Sequence, residues 1–306
     1  MTRNSGRWVG FLLILVASIL NGLIPSVTQR ALLSGMAVET ILTSRYFLGS
    51  VLIWAYIFIK KKKFLVGKSN VLYMTSLGLL LFLCTTSLNE SYKYLPGAVA
   101  VIIAFSYVGI VVFLEILMGR EKALPRRVVC LMMALVGLAF VVWPAQGIPP
   151  LRLLGILLAL LGAIFYAMQA LGMASKRLEK VEAEVITGYM SLFIFLANFL
   201  RCTMVQQPYL PTEWVQVGYI FVLGAGAAFI APLFYCMSVK KIGASDTSLT
   251  NTTEPVFAYL AGILIMADRI SWNATVGGIL VVSSVFLLNL PGRKEKGGKE
   301  EIFIRN

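Results

Sequence analysis

Residues Lys241 to Arg269 read KIGASDTSLTNTTEPVFAYLAGILIMADR. Most of this stretch is apolar enough to cross a membrane, yet Glu254 and Pro255 stand side by side within it. An ionisable group inside a span costs ~2.5–3.5 kcal/mol on insertion scales, so its presence needs a reason. A second stretch, Tyr94 to Lys122, reads YLPGAVAVIIAFSYVGIVVFLEILMGREK. The two align without a gap, so that Gly97-Ala98 faces Ala244-Ser245 and Glu121-Lys122 faces Asp268-Arg269. Gly10 and Gly155 mark a looser correspondence between the segments that open each half.

The rest of the chain fits a membrane setting. Of its 306 residues 58% are hydrophobic and 13% charged, and the mean hydropathy is +0.84. Soluble domains carry about 25% charged residues. A spanning helix needs roughly 20 apolar residues. Ten stretches qualify: 8–28, 37–59, 71–91, 97–118, 126–144, 151–172, 184–204, 214–238, 246–266 and 272–290. The basic start before the first could open a signal peptide, but no small-residue cleavage site follows Leu20. It reads as the first span.

Net charge is +13. Assigned loop by loop with the N-terminus inside, 21 of the 27 Lys and Arg residues fall on one side. Five (Arg30, Lys93, Arg152, Arg201 and Arg269) fall on the other, and Arg45 lies within a span. That alternation is the positive-inside pattern. It implies an even number of spans and cytoplasmic termini, and it explains the basic charge without a nucleic-acid partner. Lys60 to Lys63 read as part of that signal.

Five spans per half force the second copy to enter the bilayer upside down. The expected fold is therefore an all-α membrane protein of ten transmembrane helices in two inverted five-helix repeats, 1–147 and 148–292, with a basic tail at 293–306. The proline-rich WPAQGIPPLR (Trp143–Arg152) marks the boundary. Inverted repeats recur in secondary transporters, with the substrate near the midplane between the halves.

Several residues carry a family resemblance: the turn GAS at Gly243–Ser245, the Glu254-Pro255 pair, the closing pairs Glu121-Lys122 and Asp268-Arg269, and Arg45-Tyr46-Phe47. Over about residues 8–290 the chain resembles the EamA family of the drug/metabolite transporter superfamily. The first copy departs from the pattern, with Val108 in place of a frequent proline and Glu-Lys in place of Glu-Arg. The resemblance implies ten helices, two repeats and movement of small metabolites, often outward, across the cell (plasma or inner) membrane.

Candidate site residues follow from polarity inside apolar spans. Thr247, Asn251, Glu254 and Ala258 have the spacing of one helix face. Glu254 lies roughly 12 Å from the span's inner edge at 1.5 Å per residue. Pro255 lacks an N–H and pushes away the carbonyl of Asn251. Burial disfavours the charged form of a carboxyl, which suits proton exchange. The functional reading is a substrate or proton site, and the structural one is a neutral carboxyl that bonds a neighbouring helix at a kink. Asn21 with Pro25 repeats the device, and Pro232 frees Ala228 one turn before Tyr235. Tyr166 and Gln169 share a face and either line a cavity or hold helices together. Arg45 either snorkels outward to pair with Glu90 or Glu39 or holds an anionic solute. Glu115 is expected to reach the inner interface.

Histidine is absent and the four cysteines (Cys84, Cys130, Cys202 and Cys236) have unrelated spacings, so no metal or haem site and no cofactor is expected. No GxxxxGK[ST], HExxH or GxSxG segment is present, and no enzymatic activity is expected. The expected partners are the lipid bilayer, a small solute (an amino acid, amine or related metabolite) and, at Glu254, protons. An uptake permease of the same fold is the alternative within this class. A non-transporting membrane scaffold or lipid-handling protein is the alternative outside it.

Overall fold

Inside hydrocarbon no water satisfies the backbone, so long apolar segments must bond within themselves as helices or within closed barrels. The computed structural model describes residues 2–91, 94, 103–119, 125–141, 153–208, 210–266 and 272–289, and among these every regular element is helical. In chain order they are α1 (Thr2–Gly22), α2 (Ile24–Leu33), α3 (Val38–Ile59), α4 (Lys68–Ser91), α5 (Tyr107–Leu117) and α6 (Pro125–Val141). The second half holds α7 (Leu153–Met173), α8 (Ala183–Met204), α9 (Trp214–Phe221), α10 (Ala231–Asn251), α11 (Glu254–Ala261) and α12 (Trp272–Asn289). Between α9 and α10 the chain widens into a π-helix at Val222–Ile230. Six helical stretches are long and apolar enough to cross a bilayer, and four shorter apolar ones accompany them. The Trp143–Arg152 linker, the Glu121-Lys122 and Asp268-Arg269 pairs and the 293–306 tail lie outside the described residues.

Large apolar side chains face outward as well as inward, and polar ones are buried among them. Leu72, Phe113 and Leu264 point outward, 64–84% exposed, while Thr247, Ser248, Thr250 and Asn251 are at most 1% exposed. That arrangement suits a lipid solvent, in which close packing and interhelical hydrogen bonds hold helices together.

Packing partners come in matched pairs. α3 lies on α8 and α6 on α12. α4 packs on α7, as α10 packs on α1; α4 also packs on α8, as the π-helical segment packs on α3. α5 meets α7, as α11 meets α1. This is the pattern expected when each helix of one half stands for a helix of the other.

Charged groups at the helix ends are held by ion pairs and hydrogen bonds. At one end Lys62 pairs with Glu182 at 2.8 Å and Glu184 at 3.5 Å, and Arg177 bonds Ser69 and Asn70. The Glu182 carboxylate is the main cause of an upward shift in the Lys62 pKa. Lys240 donates to the carbonyls of Leu178, Glu179 and Val181 at that same end. At the other, Arg201 meets Glu39 at 3.3 Å and Arg30 donates to the Ile265 carbonyl at 2.7 Å.

The link between the expected spans 214–238 and 246–266 narrows to one residue: α10 is interrupted only at Gly243, whose φ of 84° is favourable for glycine alone. Ser238–Thr247 (3.0 Å) and Tyr235–Ser248 (3.5 Å) hydroxyl contacts then clasp the two arms of this hairpin. Glu115 is buried between helices. It is 5% exposed and accepts a hydrogen bond from the Ser245 backbone N–H at 3.1 Å, at the start of the second arm. A carboxylate is stabilised at a helix N-terminus by the unpaired N–H groups and the helix dipole. On the next turn position, Asp246 pairs with Arg7 of α1 at 3.1 Å.

Candidate functional site

Two helix breaks set the geometry. α1 yields to α2 at Leu23, with Pro25 in the first turn of the new helix, where a missing N–H is tolerated. α10 ends at Asn251 and α11 begins at Glu254, with Pro255 again in the first turn. The break itself falls on Thr252 and Thr253. Their hydroxyls donate back to the carbonyls of Leu249 (2.6 Å) and Thr250 (2.8 Å), which satisfies backbone groups the helix end leaves over. The single face expected through Thr247, Asn251, Glu254 and Ala258 is therefore divided. Thr247 turns into the hairpin, whereas Asn251 and Glu254 turn into a cavity.

Asn251 is the hub of a polar cluster. Its Oδ1 accepts from the Ser18 hydroxyl at 3.1 Å. Its Nδ2 donates to Tyr107 Oη at 3.1 Å and to Glu254 Oε2 at 3.2 Å. Asn21 Nδ2 donates to the same Glu254 oxygen at 3.4 Å. Tyr107 is the residue that the repeat alignment places opposite Glu254. The two equivalent positions thus meet on one amide, one supplying an acid and the other a phenol.

Aromatic rings continue the wall. Tyr107 and Tyr166 sit edge to face with centroids 4.5 Å apart, a favoured geometry for ring quadrupoles. Tyr166 and Tyr235 follow at 6.1 Å. Opposite, the Arg45 guanidinium lies over the Tyr46 ring, 4.7 Å from its centroid, and donates to Tyr46 Oη at 2.9 Å. Of the two acids expected to pair with Arg45, Glu90 and Glu39, Glu39 instead meets Arg201 on the neighbouring helix α8. Arg45 instead stays buried at 9% exposure.

The cavity between these walls has a volume of about 260 Å³. All seven polar candidates border it: Asn21, Arg45, Tyr166, Gln169, Tyr235, Asn251 and Glu254. Pro232 borders it too, while Pro25 and Pro255 bend helices beside it. The Ala228 carbonyl, freed ahead of Pro232, faces α3: a Cβ built at Gly49 would come within 2.8 Å of that oxygen. Close approach of α3 to the π-helical turn therefore needs glycine at position 49. Sequence reading passed over Ser191, Thr187 and Tyr46, which also line the cavity. Tyr107 was visible only as the aligned partner of Glu254. Among the described residues no three of His, Cys, Asp and Glu converge as metal ligands would.

A family model described as the EamA-like transporter family matches residues 8–143 and again 153–290. Among curated proteins none matches the sequence. A solved crystal structure, described only as that of a protein, superimposes with a TM-score of 0.76 at 21% sequence identity, covering 94% of this chain and 99% of the other. At that identity the likeness shows the fold alone.

Proposed function

The chain belongs to the EamA-like transporter family, and from that premise we propose that it is a secondary transporter that moves small organic metabolites through the cavity of Asn21, Glu254 and Tyr166. Family and helices together make it an integral, multi-pass membrane protein whose surroundings are lipid and whose cargo is a small molecule. The finer reading has ten crossings, both termini in the cytoplasm of a cell whose plasma membrane holds the protein, and two inverted repeats at 1–147 and 148–292. The halves rock against each other about the cavity, and export of amino acids, amines or related compounds is the direction and cargo we favour.

One observation carries this reading. Asn21, Arg45, Tyr166, Gln169, Tyr235, Asn251 and Glu254 converge on one cavity, built by helices from both halves. A scaffold gains nothing from assembling them there, since buried polar groups are costly unless they serve binding or conformational change.

Proton coupling through Glu254 has a geometric basis. Both amides hold the same oxygen, Oε2, which leaves Oε1 to take and release a proton without dismantling the cluster. Glu254→Gln keeps the shape and an acceptor oxygen but cannot carry the proton. In vesicles containing the purified variant, proton-driven flux of a transported solute is expected to disappear while exchange of solute for solute continues. Unchanged proton-driven flux would remove Glu254 as the proton carrier.

A further inference from the structure

Three residues that border the cavity each hold a buried polar atom with no hydrogen-bond partner: Arg45 Nε, Gln169 Oε1 and Ser191 Oγ. Their side chains are 9%, 3% and 4% exposed. They come from α3, α7 and α8, and both α3 and α7 pack close to α8 or its neighbour α4. Each orphan specifies what would satisfy it. Arg45 carries a fixed positive charge and a free N–H, so it calls for an acceptor, best an anionic one. A serine hydroxyl serves a carboxylate oxygen as donor. Gln169 is held at its other end, where Nε2 contacts Met173 Sδ at 3.6 Å, so its carbonyl calls for an N–H or O–H donor. The Asn251 cluster makes no such demand, because Asn251, Asn21, Glu254 and Tyr107 already bond one another.

We infer that Arg45, Ser191 and Gln169 form the recognition subsite, and that it takes a solute with one carboxylate and a nearby N–H donor on an apolar body. Arg45 and Ser191 hold the carboxylate, with the Tyr46 hydroxyl and ring fixing the guanidinium. Gln169 accepts from the N–H, and the tyrosines and apolar lining receive the remainder. Ser191 thereby joins the site as a specificity residue. The inference rests on the transport reading and sharpens it, because solute recognition is placed on residues other than Glu254.

A matched set of probes tests it: leucine, leucinamide, which lacks the carboxylate, and 4-methylpentanoate, which lacks the N–H, with free choline and glucose as unrelated solutes. Vesicles holding the full chain are loaded with all five and efflux is followed for each. Saturable efflux of leucine above both its analogues is expected. Ser191→Ala should weaken it about tenfold or more, as loss of a hydrogen bond to a charged group does, and Arg45→Gln about 100-fold. The thermal midpoint of Ser191→Ala should hold or rise, since an unpaired buried hydroxyl costs stability; a merely structural serine would lower it. Saturable efflux of leucinamide, choline or glucose in place of leucine, or leucine efflux indifferent to Ser191→Ala and Arg45→Gln, overturns the subsite and leaves the transport reading standing. Absence of saturable efflux for all five likewise overturns the subsite, and the transport reading then stands or falls on a wider solute pool.

Discussion

On the wall formed by α1, α5, α10 and α11, the polar side chains of Ser18, Asn21, Tyr107, Asn251 and Glu254 are bonded to one another. On the wall formed by α3, α7 and α8, Arg45, Gln169 and Ser191 each leave a buried polar atom unpaired. Both groups contribute to the same cavity, and the sequence marks Asn21, Asn251 and Glu254 of the one and Arg45 and Gln169 of the other alike as polar residues in apolar spans. The difference is what a satisfied network and an unsatisfied one are for. A satisfied network rigidifies and positions its members. Buried unpaired atoms cost stability, and at residues that line a cavity a ligand can supply the missing partner.

The contrast breaks most visibly at the hub. Asn251→Leu removes three hydrogen bonds that link α1, α5, α10 and α11. Interhelical hydrogen bonds in membranes are worth about 0.6 kcal/mol on average and up to about 1.7, so a loss of roughly 2–3 kcal/mol is expected in a reversible unfolding measurement. A loss near zero would mean that the network is not holding the helices. Tyr107→Phe deletes one acceptor of that hub and should cost about 1 kcal/mol, with the Asn251–Glu254 contact preserved. Gln169→Leu on the other wall should leave the midpoint unchanged or raise it, while transport falls. A destabilisation of Gln169→Leu as large as that of Asn251→Leu would erase the distinction between the walls.

Much of the fold and part of the site could be read in the chain. Polar groups in apolar spans announce themselves by insertion cost, and so Asn21, Arg45, Tyr166, Gln169, Tyr235, Asn251 and Glu254 were found one by one. Their convergence could not be read, because it depends on how helices from different halves pack. Glu115 shows the limit clearly. Its distance from the end of a span says nothing of the Ser245 N–H that packing brings to it. Arg45 failed to pair with Glu39 for a related reason: α8 places Arg201 closer. Ser191 escaped notice because serine is common in spans, and only the absence of a partner sets it apart.

The central claim is that this cavity carries a solute across the membrane. Its most direct test is counterflow by the purified chain in sealed vesicles, using a defined pool of amino acids, amines, sugars and nucleosides. The account predicts that at least one member of the pool enters saturably and faster when the same solute is present on the far side. Uptake of none above protein-free vesicles, or uptake that rises linearly with concentration without saturating, would contradict it.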